Sequence, residues 1–290
     1  MKRFCLLLVF TLSLLGAEEK INWEKATEVR PGLRLVKLEL TEPRLMKVSI
    51  LRVDLTLPGL TFTGTGRDDA WGQEMPDCPG QIIRTKRERT TDFLRKARKR
   101  GLEMIVAANA SPWLPWQAPF THIYGNPLGL TIADGVIVGD NEGTNALFVV
   151  WKNGQIDITE SVAKEQYDQI WLAVSGFGIC LKDGQERPDG GYEAALMPRM
   201  VFGLSQKRHW LYLMTIDGRQ KEWSLGATGA DIKRLMKLAG AWDVIDMDGG
   251  GSATLCWWDE TKNTPVVVNR HSANGYTRST GMNIGIYLKP

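Results

Sequence analysis

The feature that most constrains this chain is residues 246–255, in which three consecutive glycines separate an aspartate from a serine. An apolar run at 210–216 precedes this segment and ends in Asp217-Gly218-Arg219, which is typical of a buried strand stopped by a turn. Residues 228–240 then place apolar side chains at helical spacing, with a Thr near the start and a Gly at the end. Residues 241–245 resume the character of a strand. This order predicts a right-handed crossover between parallel strands of one sheet.

Polar residues follow both strands of this predicted unit. Ligands of open α/β sheets bind beyond the carboxyl ends of the strands, so we expect these residues to share one pocket. They are Asp217, Arg219, Asp248 and Ser252. The glycines between the last two suit close backbone approach to a ligand, with N–H groups facing an anion. A tight turn with an acidic corner is the alternative, because glycine marks turns more often than sites.

The glycine-rich motif at 248–254, together with the preceding Asp-Gly-Arg and helix, resembles the phosphodiester glycosidase family. Further segments of the family pattern occur in the same order, so the resemblance spans roughly residues 100 to 288. They are Ala107-Ala108-Asn109-Ala110, Pro127-Leu128-Gly129-Leu130 with Asp134-Gly135, Ser175-Gly176-Phe177-Gly178, Pro198-Arg199 and Val268-Asn269-Arg270. Asn109-Ala110 stands where the family has Asn-Gly.

The resemblance implies an enzyme that hydrolyses the bond between the anomeric carbon of a sugar and a phosphodiester oxygen. The leaving group is then a phosphate monoester with a second pKa of about 6, so stabilising its charge matters more than protonating it. The implied catalytic residues are Asp217, Asp248 and Arg219, with a carboxylate supporting the oxocarbenium centre or directing a water. The implied substrate-binding residues are Asn109, Trp113, Arg199, Gly249, Gly250, Gly251, Ser252, Asn269 and Arg278.

Other functions are weighed against this one. A non-catalytic carbohydrate-binding or cell-envelope polysaccharide-associated protein on the same fold is the main alternative. Such a protein keeps the proline- and aromatic-rich loop at 111–124, whose rings suit the C–H faces of sugars, but need not gather acids and arginines in one cleft. A serine hydrolase using Ser252 is disfavoured because the Gly-x-Ser-x-Gly elbow is missing. A P-loop is excluded because no Lys follows the glycines.

The cysteines and histidines predict neither a metal nor a cofactor. Cys78, Cys180 and Cys256 have wide and irregular spacing, and no Cys-x-x-Cys or His-rich pattern supports zinc. Cys180 and Cys256 are interpreted as small buried residues that flank strands. A disulfide between any two of the three is left open.

The N-terminus predicts export. Residues 1–17 combine a basic start, a short apolar core and small residues, which is the pattern of a secretory signal peptide, so we expect a secreted or periplasmic protein. The apolar run is shorter than the about 20 residues that a membrane-spanning helix needs, and no later segment approaches that length. Removing residues 1–17 leaves 34 basic and 33 acidic residues, because Lys2 and Arg3 are lost from 36 and 33. Nothing in this nearly neutral balance asks for nucleic acid or an anionic membrane as a partner. The partner that the resemblance implies is a carbohydrate or sugar-phosphate substrate.

The predicted fold class is α/β (α+β): a mixed β-sheet core with a βαβ unit and flanking helices, in a single domain. Residues 18–100 are expected to form an N-terminal β-rich extension with a loop and a helix, which begins at Thr85 in a capping-box pattern and ends at Gly101. Residues 101–290 form the glycosidase-like domain. Within it, the turns Asp134-Gly135 and Asn153-Gly154 predict a β-meander over residues 128–160.

Overall fold

Strands dominate the secondary structure, in keeping with the many short apolar and alternating runs of the sequence. The computed structural model describes residues 20–116, 121–141, 143, 146–188, 194–272 and 276–289, together with the backbone of residues 9–11.

The elements are numbered in chain order. The first twelve strands are β1 (Val9–Thr11), β2 (Thr27–Arg30), β3 (Leu33–Leu40), β4 (Met46–Asp54), β5 (Leu60–Gly64), β6 (Glu74–Met75), β7 (Cys78–Ile82), β8 (Thr85–Lys86), β9 (Glu103–Asn109), β10 (Trp113–Leu114), β11 (Tyr124–Pro127) and β12 (Gly129–Ala133). The next twelve are β13 (Val136–Asn141), β14 (Leu147–Trp151), β15 (Ile156–Thr159), β16 (Ile170–Ser175), β17 (Gly178–Lys182), β18 (Gln185–Glu186), β19 (Arg199–Leu204), β20 (Trp210–Ile216), β21 (Asp243–Asp246), β22 (Leu255–Asp259), β23 (Thr264–Val267) and β24 (Asn283–Leu288). The helices are α1 (Thr90–Lys99) and α2 (Gly229–Ala239), with short 3-10 helices at Lys164–Gln169 and Gly250–Ser252.

The largest sheet has the order β1-β3-β4-β20-β19-β21-β17-β18, with β2 paired to β3. Strands β20 and β21 are each antiparallel to β19, which lies between them. Strands β20 and β21 therefore run in the same direction within one sheet, as predicted, but they are not neighbours, because β19 lies between them and pairs with both. The predicted mixed α/β (α+β) class fits only roughly, because strands far outnumber the two α-helices in the described part of the chain.

The register of these strands nevertheless gathers the predicted site at one edge. Arg199 at the start of β19 pairs with Ile216 at the end of β20. Val201 pairs with Asp246 at the end of β21. The start of the middle strand and the ends of its two neighbours therefore meet, and α2 packs on one face of the sheet through its buried apolar side chains.

The two helices differ in how well the sequence predicts their ends. Thr228 caps α2 through a reciprocal capping box with Asp231, and Gly240 follows the helix with φ +95°, as the sequence predicts. The predicted start of α1 at Thr85 is wrong, because Thr85 belongs to β8 and its buried hydroxyl donates to the carbonyl of Gly281 at 2.6 Å. The helix begins five residues later, at Thr90.

Two five-stranded sheets accompany the largest one, in the orders β23-β22-β9-β24-β5 and β13-β12-β16-β14-β15. Phe148 on β14 contacts both other sheets, since its ring lies 6.0 Å from that of Phe62 on β5 and 5.6 Å from that of Phe202 on β19.

The predicted meander is wrong in its order: hairpins β12–β13 and β14–β15 form, but β16 lies between them. Strands β4 and β5 pair with β20 and β24, so the N-terminal strands are built into two of the sheets.

Three sequence expectations concern cysteines, membranes and export. Cys180 and Cys256 are buried as predicted, and neither forms a disulfide with the other or with Cys78. Within the described part of the chain, no helix has the length and apolarity that crossing a membrane requires. Strand β1 falls inside the predicted signal peptide and pairs in parallel with β3. The rest of that peptide lies outside the described residues, so export stays a prediction.

Candidate active site

A cleft of about 310 Å³ opens at the edge where β19 begins and where β20 and β21 end. Its lining joins charged and hydroxyl side chains to aromatic and sulfur-containing ones around the glycine turn. The lining residues are Trp113, Trp116, Phe177, Met197, Arg199, Arg219, Met247, Asp248, Gly249, Gly250, Gly251, Ser252 and Arg278. The cleft thus contains the glycine turn, all three predicted arginines and one of the two predicted catalytic aspartates.

The glycine turn, residues 249–251, is shaped by close contacts with the rest of the protein. A Cβ atom at Gly249 would lie 2.6 Å from the carbonyl oxygen of Pro198, and one at Gly251 would lie 2.7 Å from a guanidinium nitrogen of Arg278. Gly250 has φ +60°, where side chains are strained. Its N–H donates to the Pro198 carbonyl at 2.8 Å. This N–H is therefore used within the protein, contrary to the expectation that it faces an anion. The missing side chains at Gly250 and Gly251 instead leave room for the guanidinium groups of Arg219 and Arg278 next to the backbone.

Asp248 lies in the cleft lining, directly before the turn. Burial raises its pKa from the usual 3.8 to about 7, against the opposing effects of hydrogen bonds from Ser252 and Trp113 and of the Arg278 charge. The Asp246 carboxylate adds to the rise. The residue is half-buried as a whole, but its Oδ2 is enclosed and has no hydrogen-bond partner among the described residues. Asp248 is therefore a carboxyl group that exchanges its proton near neutral pH and keeps one oxygen that the protein does not engage.

Two guanidinium groups lie against the turn. Arg219 is exposed, and its Nη1 is 3.4 Å from the position of a Cβ on Gly250. No Asp or Glu lies within ion-pair distance of Arg219 in the ranges that the structure describes. Arg278 is half-buried; burial lowers its pKa, while the neighbouring Asp248 raises it and Arg219 lowers it further. Two planar cations next to a carboxyl group form a site that suits a phosphate-type anion.

Arg199 also lines the cleft, but the protein holds its guanidinium. The residue is only 3% exposed, and its Nη1 donates to Asp246 at 2.8 Å. Its Nε and Nη2 donate to the carbonyls of Ala227 and Ala195 at 3.1 and 3.0 Å. Breaking a buried pair of this kind leaves an uncompensated charge, which is strongly unfavourable. Arg199 therefore fixes the end of β21, and the arginine that accompanies Arg219 at the turn is Arg278.

Asp217 does not line the cleft, in contrast to its predicted catalytic role. Its Oδ2 accepts a hydrogen bond from Trp223 Nε1 at 2.6 Å, and its Oδ1 accepts one from the Arg270 N–H at 2.9 Å. Burial raises its pKa, and these two hydrogen bonds oppose the rise. With both oxygens engaged inside the protein, Asp217 anchors the loop after Asn269 and the turn before Trp223.

Asn109 and Asn269 are predicted to bind sugar hydroxyls, but their amides bind the backbone next to the glycine turn: Asn109 on both sides of it and Asn269 after it. Asn109 donates to the Asp248 carbonyl at 2.6 Å and accepts from the Thr254 N–H at 2.9 Å. Asn269 donates to the Ala253 carbonyl at 2.9 Å and accepts from the Leu255 N–H at 3.1 Å. Both amides are thereby used within the protein. Asn109 ends β9 and Asn269 follows β23, the two strands that flank β22, so together they hold the backbone that leads from the turn into β22.

A hydroxyl and an imidazole continue this support behind the turn. The Thr254 hydroxyl donates to the Ser252 carbonyl at 3.1 Å and lies 3.0 Å from His271 Nε2. Because the Thr254 hydroxyl proton is already donated to Ser252, His271 Nε2 is the donor to the hydroxyl oxygen. Burial lowers the pKa of His271, which favours its neutral form. In the parts of the chain described above, no three His, Cys, Asp or Glu side chains are grouped to hold a metal ion.

Aromatic side chains form the apolar wall of the cleft. Trp113 is buried beneath Arg87, whose guanidinium lies 4.4 Å from the ring centroid, while Trp116 is 46% exposed. The rings of Trp116 and Phe177 lie 6.2 Å apart at an interplanar angle of 56°. The aromatic loop signalled both tryptophans, but residues 117–120 of that loop lie outside the described residues. Phe177 carried no signal of its own beyond its glycine neighbours, and nothing in the sequence pointed to Arg87.

Solved structures from zebrafish and Synechocystis have a fold similar to that of this chain. The catalytic domain of zebrafish N-acetylglucosamine-1-phosphodiester alpha-N-acetylglucosaminidase, solved in a form auto-inhibited by its pro-peptide, aligns with a TM-score of 0.64 at 18% identity. The alignment covers 94% of this chain and 87% of the zebrafish chain. A hypothetical protein from Synechocystis aligns with a TM-score of 0.60 at 10% identity, over 91% of this chain and 64% of its own. These similarities show a shared fold.

No curated protein matches the chain with significance. The family model described as phosphodiester glycosidase matches residues 114–287, which is more than half of the chain. That span includes the cleft arginines, Asp248 and the glycine turn. The chain therefore belongs to the phosphodiester glycosidase family.

Proposed function

We propose that this protein is an exported glycosidase that hydrolyses the bond between the anomeric carbon of a sugar and a phosphodiester oxygen. The observation that carries the proposal is the pair of guanidinium groups, Arg219 and Arg278, lying against the glycine turn beside Asp248. Family membership supports the class of reaction. The zebrafish structure of similar fold bears the name of an enzyme for the same class of bond.

The arginines act on the phosphate side of the bond. A phosphodiester carries one negative charge, and the phosphate monoester that leaves gains a second as the C1–O bond breaks. Guanidinium groups that hold these oxygens bind the transition state more tightly than the ground state, and only such differential binding lowers the barrier. The electron pair of the broken bond stays on the phosphate oxygen, so the leaving group needs little help from a general acid.

Asp248 and the aromatic wall act on the sugar side. As a carboxylate, Asp248 stabilises positive charge at the anomeric carbon and accepts a proton from the attacking water. A pKa of about 7 makes it a stronger base than an ordinary aspartate, yet much of it is ionised at neutral pH. Trp116 and Phe177 offer apolar rings to the C–H face of the sugar.

The test is to incubate the purified protein with a panel of sugar-1-phosphodiesters and to measure free reducing sugar and phosphate monoester together. We expect turnover of at least one member, loss of turnover in Asp248→Asn, and little change in Arg95→Lys, which alters an exposed arginine paired with Asp92 on α1. Binding without turnover across the panel would support a non-catalytic carbohydrate-binding protein instead. Turnover that survives Asp248→Asn would remove Asp248 from the mechanism.

Export is the second part of the proposal. It rests on the basic start, apolar core and small residues of positions 1–17. Intact-mass measurement of the protein produced by cells should show cleavage near Ala17. A secreted product that still carries residues 1–16 would contradict cleavage at that position.

A further inference from the structure

A second and larger space, which we name the seam groove, lies where two of the sheets meet. One wall is β5 and the other is the β14–β15 hairpin, and the groove encloses about 520 Å³. Trp171, near the start of β16, ties the walls together, since its Nε1 donates to the Phe62 carbonyl at 2.6 Å. The other end of β16 is Ser175, whose N–H donates to Ser111 next to the aromatic loop of the cleft. At about 3.3 Å per residue, this strand alone separates the seam groove from the cleft by about 13 Å.

Trp151 borders the seam groove and also a neighbouring cavity of about 300 Å³. A hydrogen bond fixes the position of its indole, because Nε1 donates to Asp157 Oδ2 at 3.0 Å. The residue as a whole is half-buried. The two spaces therefore meet at an aromatic ring whose position is fixed. Fixed and partly open indoles suit the C–H faces of sugars, because the ring loses little conformational freedom on binding.

The seam groove also carries positive charge that the protein does not neutralise. Lys152 and Lys289 line it and are exposed, and no Asp or Glu lies within ion-pair distance of either amine among the described residues. The Lys289 amine lies 5.8 Å from the centroid of the Trp171 ring. Lys182 at the neighbouring cavity is different, since it pairs with Asp243 at 3.4 Å. The uncompensated cations thus flank the two indoles, which favours a ligand that has both apolar ring faces and negative charge.

We propose that the seam groove is a second saccharide-binding site whose ligand is an acidic carbohydrate chain. Sugar rings stack on Trp151 and Trp171, and carboxylates of the chain face Lys152 and Lys289. A chain fits better than a single sugar because two indoles, Trp151 and Trp171, line the groove and each offers a face to one ring. A peptide added to the edge of β5 would be recognised by backbone hydrogen bonds and has no need of the paired indoles and lysines.

The test is a titration of the purified full chain with an oligogalacturonate, followed by calorimetry and by tryptophan fluorescence. A neutral malto-oligosaccharide of equal length and a polyglutamate serve as reference ligands. We expect oligogalacturonate to bind more tightly than either, and Trp151→Ala to weaken binding about tenfold, the effect of about 1.4 kcal/mol. The matched control is Trp210→Ala, which removes a half-buried indole that stacks on Arg52 elsewhere. The double variant Lys152→Gln/Lys289→Gln should weaken acidic but not neutral chains.

Each contrary result overturns the proposal. Equal affinity for polyglutamate and oligogalacturonate would show that the groove binds negative charge and not sugar rings. Unchanged affinity for oligogalacturonate in the double lysine variant would show that the two lysines do not bind its carboxylates. Loss of binding in Trp116→Ala but not in Trp151→Ala would place the saccharide in the cleft. Should Trp151→Ala fail to fold, the affinity of the double lysine variant for oligogalacturonate decides whether the groove is the binding site. Turnover of a small sugar-1-phosphodiester should be unchanged in all the groove variants, so failure here leaves the proposed hydrolysis standing.

Discussion

Replacing Asp248 with Asn should make the protein more stable at neutral pH while abolishing its turnover. The carboxyl has a pKa of about 7 because burial disfavours its charged form, so ionising it at neutral pH works against folding. Asparagine resembles the protonated acid in size and shape but never ionises. The backbone carbonyl that receives the Asn109 hydrogen bond is unaffected by the change.

The magnitude follows from proton linkage. In the unfolded chain the carboxyl has its ordinary pKa of 3.8, and a rise to about 7 corresponds to about 4 kcal/mol between the two ionisation states. Below about pH 4 the acid is protonated in both the folded and unfolded states, so wild type and variant should be equally stable. As the pH rises from about 4 to about 7, the carboxyl ionises in the unfolded chain while it stays protonated in the folded protein, so wild type loses this stability and the variant does not. The advantage of the variant should therefore grow to at most about 4 kcal/mol at about pH 8.

Urea denaturation at about pH 4, 6 and 8 measures this difference as the free energy of unfolding. Asp217→Asn is the matched control, because both of its oxygens accept hydrogen bonds and an amide can accept at only one. That variant should be about 1–3 kcal/mol less stable than wild type at about pH 4. Because burial also raises the Asp217 pKa, this deficit should shrink as the pH rises. A variant Asp248→Asn that is less stable than wild type at about pH 8, or a difference that does not change with pH, would refute the reasoning.

Four further results are expected. Arg219→Lys keeps the charge but loses the planar donors, so kcat/KM for a sugar-1-phosphodiester should fall roughly 10- to 150-fold. An equal fall for an aryl glycoside of the same sugar would show that Arg219 does not bind the phosphate group. The kcat/KM should rise with pH and level off above about 7, because Asp248 acts as the carboxylate; a decline above that pH would make it the general acid. Gly251→Ala places a Cβ 2.7 Å from the Arg278 guanidinium, so it should reduce turnover while changing the melting temperature little; full activity would mean that Arg278 can move without loss of function. Asn109→Ala leaves a buried carbonyl and N–H unpaired and should cost about 2–4 kcal/mol in urea denaturation; a smaller loss would mean that these hydrogen bonds are dispensable.

Local signals in the sequence predict part of this molecule well. The ends of α2 follow from Thr228 and Gly240, because a capping box and a left-handed C-terminal residue are set by neighbours only a few positions away. The sequence also predicts the sheet edge on which the cleft lies, because β20 and β21 run in the same direction whether or not they are adjacent. Asp248 and the glycine turn were placed correctly for this reason.

Long-range partners account for what the sequence did not predict. Nothing local to β21 indicates that β19 separates it from β20. The partner of the Asn109 amide is 139 residues away along the chain, and Asp217 meets the Arg270 N–H 53 residues later. Such pairings decide whether a polar side chain faces a ligand or the protein, and residue type alone does not encode them.

The polar residues at this sheet edge divide by how much of their hydrogen-bonding capacity the protein already uses. Asp217, Asn109 and Arg199 are of the types that bind sugars and phosphates, but their donors and acceptors are engaged internally. Asp248 keeps an enclosed oxygen without a partner, and Arg219 keeps an unpaired charge among the described residues. Leaving a buried acceptor unpaired is unfavourable in the free protein, and a ligand that engages it recovers that free energy on binding. The same unused capacity therefore predicts both the sign of the stability change in Asp248→Asn and the side chains that contact substrate.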